Sequence, residues 1–317
     1  MPTITKPTTK TRKDLTSLSD VTTAELQGWL DLALKLKAEK KAGKAHSHLA
    51  GKNLAMIFQK SSTRTRVSFE IAMRQLGGGA LFLSNNDMQL GRGETISDTA
   101  QVLSRYCDGI MARVFAHSDI TTLAKYASVP VINGLSDYSH PCQAVADYQT
   151  ILEHKKKLKG LTLAYVGDGN NVAHSLLFGG AKLGVSVTIV CPQGYEPQKS
   201  VVDQCVVDGK ETGARVLVSN DTAAVKGADV IYTDVWASMG QEKEHAERLR
   251  IFKDYQINAG LMAKTGKKDA LFMHCLPAHR GEEVTDEVVD SPNSVVFDEA
   301  ENRLHAQKAI LVSLMGR

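Results

Sequence analysis

The sequence predicts an α/β protein of two domains, each a parallel sheet flanked by helices, with a C-terminal helix packing back on the first domain. Three observations carry that reading. Short apolar runs of strand length alternate with amphipathic runs of helix length, the pattern of βα units and parallel pairing. The alternation starts afresh after Lys159 and Gly160. Finally, 317 residues, 43% of them hydrophobic, exceed what one core usually organises and supply apolar side chains enough for two. The expected division is residues 1–148 together with 302–317, against residues 149–301.

Within residues 24–41, Leu26, Leu30, Ala33, Leu34 and Leu36 recur between charged residues at the spacing of an amphipathic scaffold helix. Residues 53–58 form a short apolar run, 59–64 a polar turn, and 67–76 a helix stopped by Gly77, Gly78 and Gly79. A second run at 80–83 precedes a polar loop over 84–94, and 95–106 has helical periodicity. Residues 110–115 and 129–132 are further strands, and 141–157 is a helix with Pro141 in its first turn. The second unit opens with a strand at 161–166, a glycine turn, a helix at 172–183 and a strand at 185–190, together a βαβ unit. A strand at 216–218, a helix ending near Gly227, strands at 230–233 and 271–274 and a closing helix at 302–315 follow. No internal repeat, low-complexity tract or heptad run interrupts the pattern.

Composition narrows the function classes. Lys plus Arg number 38 against 35 Asp plus Glu, so the chain has no global field for gripping nucleic acid or an anionic membrane. An anionic ligand must therefore meet a local cluster. Cys107, Cys142, Cys191, Cys205 and Cys275 are odd in number and make no CxxC pair or zinc spacing, so they read as free thiols in a reducing compartment. No metal and no organic cofactor is expected. No run approaches the roughly 20 apolar residues that span a bilayer. The opening residues are basic and Thr-rich, but they lack the apolar core of a signal peptide, and Pro2 and Pro7 oppose an amphipathic transit helix. The expected location is the cytoplasm.

The segment from Ser61 to Arg66 sits between a strand and a helix start. Hydroxyls and backbone N–H groups at a helix N-terminus satisfy an anion's oxygens, the dipole favours its charge, and guanidinium forks bind phosphate bidentately. From spacing alone, a Ser/Thr cap with two solvated arginines is an equal reading. It is no P-loop, because the glycines and the Gly-Lys-Ser/Thr ending are missing. His140, Pro141, Cys142 and Gln143 start a helix, where an imidazole and an amide can hydrogen-bond a carbonyl or carbamoyl group; a capping His is the plainer reading. Arg113 ends an apolar run, and a strand end aims its side chain into the ligand crevice of an α/β sheet, or at a surface salt bridge.

In the second unit, residues 167–171 imitate a dinucleotide fingerprint. Val172 replaces the third glycine, and no acid at the next strand end awaits a ribose hydroxyl. Asn170 and Asn171 offer amides to the polar ends of an amino acid, or cap the next helix. Asp234 follows a strand and leads into Ser238, Met239 and Gly240, so a carboxylate suited to a cationic amine precedes a turn able to fold over a ligand. A loop with a capping Asp is the bland alternative. Residues 274–277, His-Cys-Leu-Pro, place a thiol and backbone carbonyls at another strand end, although a lone Cys is more often structural.

Taken together and in order, these motifs resemble the aspartate/ornithine carbamoyltransferase family, in its ornithine branch, over nearly the whole chain. The resemblance implies transfer of the carbamoyl group of carbamoyl phosphate to the side-chain amine of L-ornithine, giving L-citrulline and phosphate, a step of the arginine-biosynthesis or urea-cycle type. It implies that Ser62, Thr63, Arg64, Thr65, Arg113, His140, Gln143 and Arg303 hold carbamoyl phosphate, with Cys275 and Leu276 completing that site. Asn171, Asp234, Ser238 and Met239 would hold ornithine. The family forms trimers, so a homotrimer or a multiple of it is expected, with Gln89 in the loop that reaches a neighbour's site. Where the aspartate branch has Ser and then Lys in that loop, this chain has Gln89 and Arg92, and Asp234 would repel a dicarboxylate. Putrescine and N-acetylornithine branches lack the Ser-Met-Gly loop.

The implied catalytic residues are Arg113 and His140, with the Thr65 hydroxyl, for the oxyanion; Asp234 to orient the amine; and Cys275, as a thiolate near the arginines, to help deprotonate it. The competing reading is a two-domain module that closes on an amino acid without chemistry. Such a module has no use for a phosphate cradle.

Overall fold

The computed structural model describes residues 13–84, 93–237 and 244–316. The first helix, α1 (Thr23–Lys41), begins at a capping box in which Thr22 and Glu25 satisfy each other's backbone donors. β1 (Asn53–Phe58), α2 (Thr63–Gln75), β2 (Gly79–Ser84), α3 (Ile96–Tyr106), β3 (Gly109–Arg113), α4 (His117–Tyr126) and β4 (Val131–Leu135) follow. Their strands form one parallel sheet in the order β2-β1-β3-β4. α5 (Pro141–Lys155) then leads to β5 (Thr162–Val166), α6 (Asn171–Leu183), β6 (Ser186–Val190), α7 (Lys199–Thr212), β7 (Val216–Ser219) and β8 (Val230–Thr233). After α8 (His245–Phe252), α9 (Ala259–Lys264), β9 (Leu271–His274) and α10 (Asp286–Val289), the chain closes with α11 (Val296–Met315). The second sheet is parallel in the order β7-β6-β5-β8-β9.

Strand alternation divides the apolar side chains between layers. On β1, Leu54, Met56 and Phe58 join one core while Ala55 and Ile57 join another. On β5, Leu163 and Tyr165 join that same first core, and Ala164 and Val166 pack on the far face. One apolar layer therefore runs continuously from sheet to sheet. α5 and α11 form its bridge: α5 packs on β4 and on α6, and α11 packs back on α1, α2 and α5. α5 is buried from Pro141 through Ile151.

Several segments differ from the sequence expectation, which held no counterpart of α4, α8, α9 or α10. The helix expected before Gly227 is only a 3-10 turn, Thr222–Val225, held by Asp221, whose carboxylate accepts the Ala223 N–H. α11 starts at Val296 rather than at 302, because Asp298, Glu299 and Glu301 in its first turns hide the apolar stripe. α7 was not anticipated: its buried face is only Val201, Cys205 and Gly209, and exposed Val206 and Val207 blur the period.

The close approach of α5 and α6 needs glycine at 179. A Cβ there would overlap the Tyr148 ring, and the Tyr148 hydroxyl donates to the Leu176 carbonyl, which stops the ring from swinging away. Gly179→Ala is expected to cost about 1–3 kcal/mol by overpacking, read as a lower urea midpoint with unchanged slope.

Candidate active site

The C-terminal ends of β1, β3 and β4 from one sheet, and of β5, β8 and β9 from the other, open onto a single cleft of about 380 Å³. Ligand crevices of parallel sheets lie at these ends because the loops leaving them converge. Ser62, Thr63, Arg64, Thr65, Arg113, His140 and Arg303 line one wall, and Asn171, Asp234, Cys275 and Leu276 the other. Gln143 stands behind Arg303 rather than on the wall. Gln89, Ser238 and Met239 lie outside the described residues.

On the first wall, Ser62 is extended and its hydroxyl accepts the Thr65 N–H at 3.3 Å, which starts α2 with its N-terminus at the cleft. Arg64 Nη2 donates to the Leu276 carbonyl across the cleft at 2.8 Å. Arg303 Nη1 donates to Gln143 Oε1 at 2.6 Å and Nη2 to Thr65 Oγ1 at 3.2 Å. Arg113 Nε, Arg303 Nε and His140 Nδ1 are buried with no partner among the described residues. Burial, with Arg303 close by, brings the Arg113 guanidinium down to about 10. Burial, then Arg303 and Arg113, holds the His140 imidazole well below its usual range, so it is neutral. Three guanidiniums, a neutral imidazole and a helix N-terminus thus converge, and unpartnered N–H groups are left for an anion.

The second wall carries opposite charge. Asp234 Oδ1 accepts the Val235 N–H at 2.8 Å and the Cys275 thiol at 3.0 Å, and Oδ2 accepts from Asn170 Nδ2 at 3.1 Å. Asn170 is the α6 cap, accepting from the Val172 and Ala173 N–H groups. Asn171 reaches over to the first wall and donates to the Ser136 carbonyl. The expectation that Cys275 is a thiolate near the arginines does not hold. Burial and the adjacent Asp234 push the thiol far up, and its proton is the one donated to Asp234.

Behind Arg303 lies a buried acidic pair not singled out in the sequence. Gln143 Nε2 donates to Asp147 Oδ1 at 2.8 Å and to Glu299 Oε1 at 3.0 Å, which fixes its amide so that the oxygen faces Arg303. Glu299 also accepts from the Tyr232 hydroxyl and the His274 N–H, each at 3.0 Å. The signal existed as spacing: Gln143 and Asp147 on α5, and Glu299 and Arg303 on α11, are each four apart and share a helix face. Burial pushes Asp147 up to about 7, and burial with Asp147 alongside raises Glu299 as well. The folded pair therefore keeps a proton that the unfolded chain releases near pH 4. That stability is present at the acid end and lost as pH rises towards about 7. Comparing urea midpoints at about pH 5.5 and about pH 7.5, Asp147→Asn should fall less between them than the unsubstituted chain.

Comparison with known proteins follows the same two-part division. The family model described as the aspartate/ornithine carbamoyltransferase carbamoyl-P binding domain matches residues 13–153, and that described as the Asp/Orn binding domain matches residues 159–314. The chain is 61% identical over 305 residues to the ornithine carbamoyltransferase of Thermococcus kodakarensis, covering 96% of each. It is 61% identical, again over 96% of each, to the protein of Pyrococcus furiosus named as anabolic ornithine carbamoyltransferase. The solved structure of ornithine carbamoyltransferase from Pyrococcus furiosus superposes with a TM-score of 0.94 at 59% identity, covering 98% of this chain and 99% of that one. A mitochondrial ornithine carbamoyltransferase from Coccidioides immitis superposes with a TM-score of 0.88 at 40% identity, covering 96% and 98%. Two domain models that together span most of the sequence, and relatives alike over almost their whole length, agree with the opposed cationic and anionic walls: the chain belongs to the aspartate/ornithine carbamoyltransferase family.

Proposed function

We propose that the chain transfers the carbamoyl group of carbamoyl phosphate to the side-chain amine of L-ornithine, giving L-citrulline and phosphate. One observation carries the reading: a cluster of Arg64, Arg113 and Arg303 at a helix N-terminus faces the carboxylate of Asp234 across one cleft. The first wall suits a doubly charged phosphate and the second a cationic amine. Residues 1–148 with 302–317 would form the carbamoyl-phosphate half, and 149–301 the ornithine half.

Phosphate oxygens would lie against Ser62, Thr63, Arg64 and Thr65 at the start of α2, with Arg113 and Arg303 neutralising their charge. The carbamoyl oxygen would take donors from Arg113, neutral His140 and the Thr65 hydroxyl. The Leu276 carbonyl accepts from the carbamoyl NH2. Gln143 acts through Arg303, which it orients. A free alkylammonium has a pKa of about 10.4, so presenting it neutral at pH 7 costs on the order of 4–5 kcal/mol. Asp234 orients the amine beside Asn171, with Ser238 and Met239 closing over it. The amine nitrogen attacks the carbonyl carbon and a tetrahedral oxyanion forms. As the C–O bond to phosphate breaks, phosphate leaves with that electron pair and takes up the amine's proton. Cys275, protonated at rest, holds Asp234 in place until the amine replaces its hydrogen bond. One oxyanion donor is typically worth about 3 kcal/mol.

The resemblance of the motifs also supports a homotrimer in which Gln89 of one subunit approaches a neighbour's cleft, and a cytoplasmic location. No described helix is long and apolar enough to cross a membrane. Light scattering tests the trimer: a monomer mass would remove the role given to Gln89.

The deciding assay is citrulline formation from carbamoyl phosphate and L-ornithine, beside L-aspartate, putrescine and N-acetylornithine as acceptors. Turnover with ornithine alone is expected, and preference for another acceptor would overturn the second wall's assignment. Arg64→Gln is expected to raise the KM for carbamoyl phosphate by about 10- to 100-fold, as loss of a charged hydrogen bond does, with little change in the KM for ornithine. Cys275→Ala should have the converse pattern, raising the ornithine KM about tenfold.

A further inference from the structure

His274 ends β9 and is fully buried, as is Glu283. Neither lines the cleft. Both nitrogens of the ring are engaged: the Leu276 N–H donates to Nδ1 at 2.8 Å, and Nε2 lies 3.1 Å from Glu283 Oε1. A backbone N–H can only donate, so Nδ1 carries no proton. The ring is therefore neutral with its proton on Nε2, donated to Glu283; a doubly protonated ring would set Nδ1–H against the Leu276 N–H. Glu283 Oε1 also accepts the His279 N–H at 2.5 Å, so one carboxylate oxygen ties together both ends of the turn over residues 275–279. Asp234, His274 and Cys275 offer donor atoms within 4.8 Å of one another, but the ring has no free lone pair for a metal ion.

The turn is one that needs holding. Leu276 has φ +57, the left-handed region that L-residues enter only against a steric cost. Its N–H is the atom that His274 Nδ1 captures, and its carbonyl is the atom that Arg64 Nη2 meets at 2.8 Å. The path is continuous: Glu283 sets the tautomer and tilt of His274, His274 sets Leu276, and the Leu276 carbonyl sets Arg64.

We propose that Glu283 and His274 are a buried positioning pair for carbamoyl phosphate, fixing the Leu276 carbonyl as acceptor for the carbamoyl NH2 and as the tether that aims Arg64 at the phosphate. The inference rests on the carbamoyl transfer proposed above. Second-layer partners of this kind act through the ring they orient rather than on the substrate.

Two substitutions separate the ring atoms. His274→Asn puts an amide oxygen close to the place of Nδ1 and keeps an acceptor for the Leu276 N–H, whereas His274→Gln reaches the place of Nε2 and loses it. His274→Gln is expected to raise the KM for carbamoyl phosphate about tenfold, the value of one hydrogen bond, and His274→Asn, which keeps the acceptor but loses the Glu283 contact, by about threefold, with the ornithine KM unchanged in both. Glu283→Gln retains an acceptor oxygen and should stay near the unsubstituted enzyme, while Glu283→Leu should follow His274→Asn. If His274→Gln does not fold, the Glu283 pair carries the same contrast. Equal impairment of His274→Asn and His274→Gln, or loss spread evenly over both KM values in step with a lower Tm, would overturn the pair's role. Thermal protection by carbamoyl phosphate without ornithine separates this from the functional reading. If the unsubstituted chain makes no citrulline but is protected, and His274→Gln is not, the transfer reading fails and the positioning pair stands. If carbamoyl phosphate protects neither protein, both fail.

Discussion

The structure is organised around gathering like charge. Arg64, Arg113 and Arg303 converge, the last two of them buried, and the depression of Arg113 registers both burial and its cationic neighbours. Desolvated charge of one sign must be compensated nearby or it drives the site apart. Here compensation is spread over several layers. Arg303 is met by the Gln143 amide oxygen and the Thr65 hydroxyl, Arg64 by a backbone carbonyl, and the acidic pair of Asp147 and Glu299 sits one residue further back. Direct carboxylate partners would have quenched the cluster. Neutral acceptors hold the guanidiniums in place yet leave their charge for the ligand.

How much of this was legible in the sequence depended on the kind of element. Strand ends were legible: Arg113 and Asp234 stand where short apolar runs stop, and in a parallel sheet those positions open on the crevice. The start of α2 was legible because Ser62 and Thr65 follow a strand directly. Helix interiors were not. Asp147 and Glu299 are acids on amphipathic stretches, where solvation is the ordinary fate, and only packing of α5 against α11 turns both inward. Protonation states were equally hidden. Cys275 looked like a candidate thiolate from its motif, but the adjacent carboxylate that makes it useful to an amine is also what keeps its proton on. The Glu283 contact is invisible for another reason: it joins residues on either side of a turn whose left-handed Leu276 no local propensity announces.

The two walls are held by different means. Across the junction, the His140 N–H donates to Ser175 Oγ at 2.8 Å and Asn171 to the Ser136 carbonyl, so the loop after β4 and the first turns of α5 and α6 are stitched together. Each contact ties a residue that lines the cleft, His140 or Asn171, to one that does not. Across the cleft stand the turn at 275–279 and, after β8, Val235 and Ala237. Buried side-chain bonds together with the apolar bridge of α5 make this junction a rigid base for the cleft.

The position of Arg303 in the chain has a consequence for synthesis. α11 supplies both Arg303 to the cleft and Glu299 to the layer behind it, and it packs on helices made at the very start, α1 and α2. A polypeptide emerging from the ribosome forms its early units first. The first sheet is complete by Leu135, but the cationic cluster lacks its third guanidinium until α11 folds back. The three-guanidinium cluster is thus a product of tertiary packing, present only where α11 has docked on α1, α2 and α5.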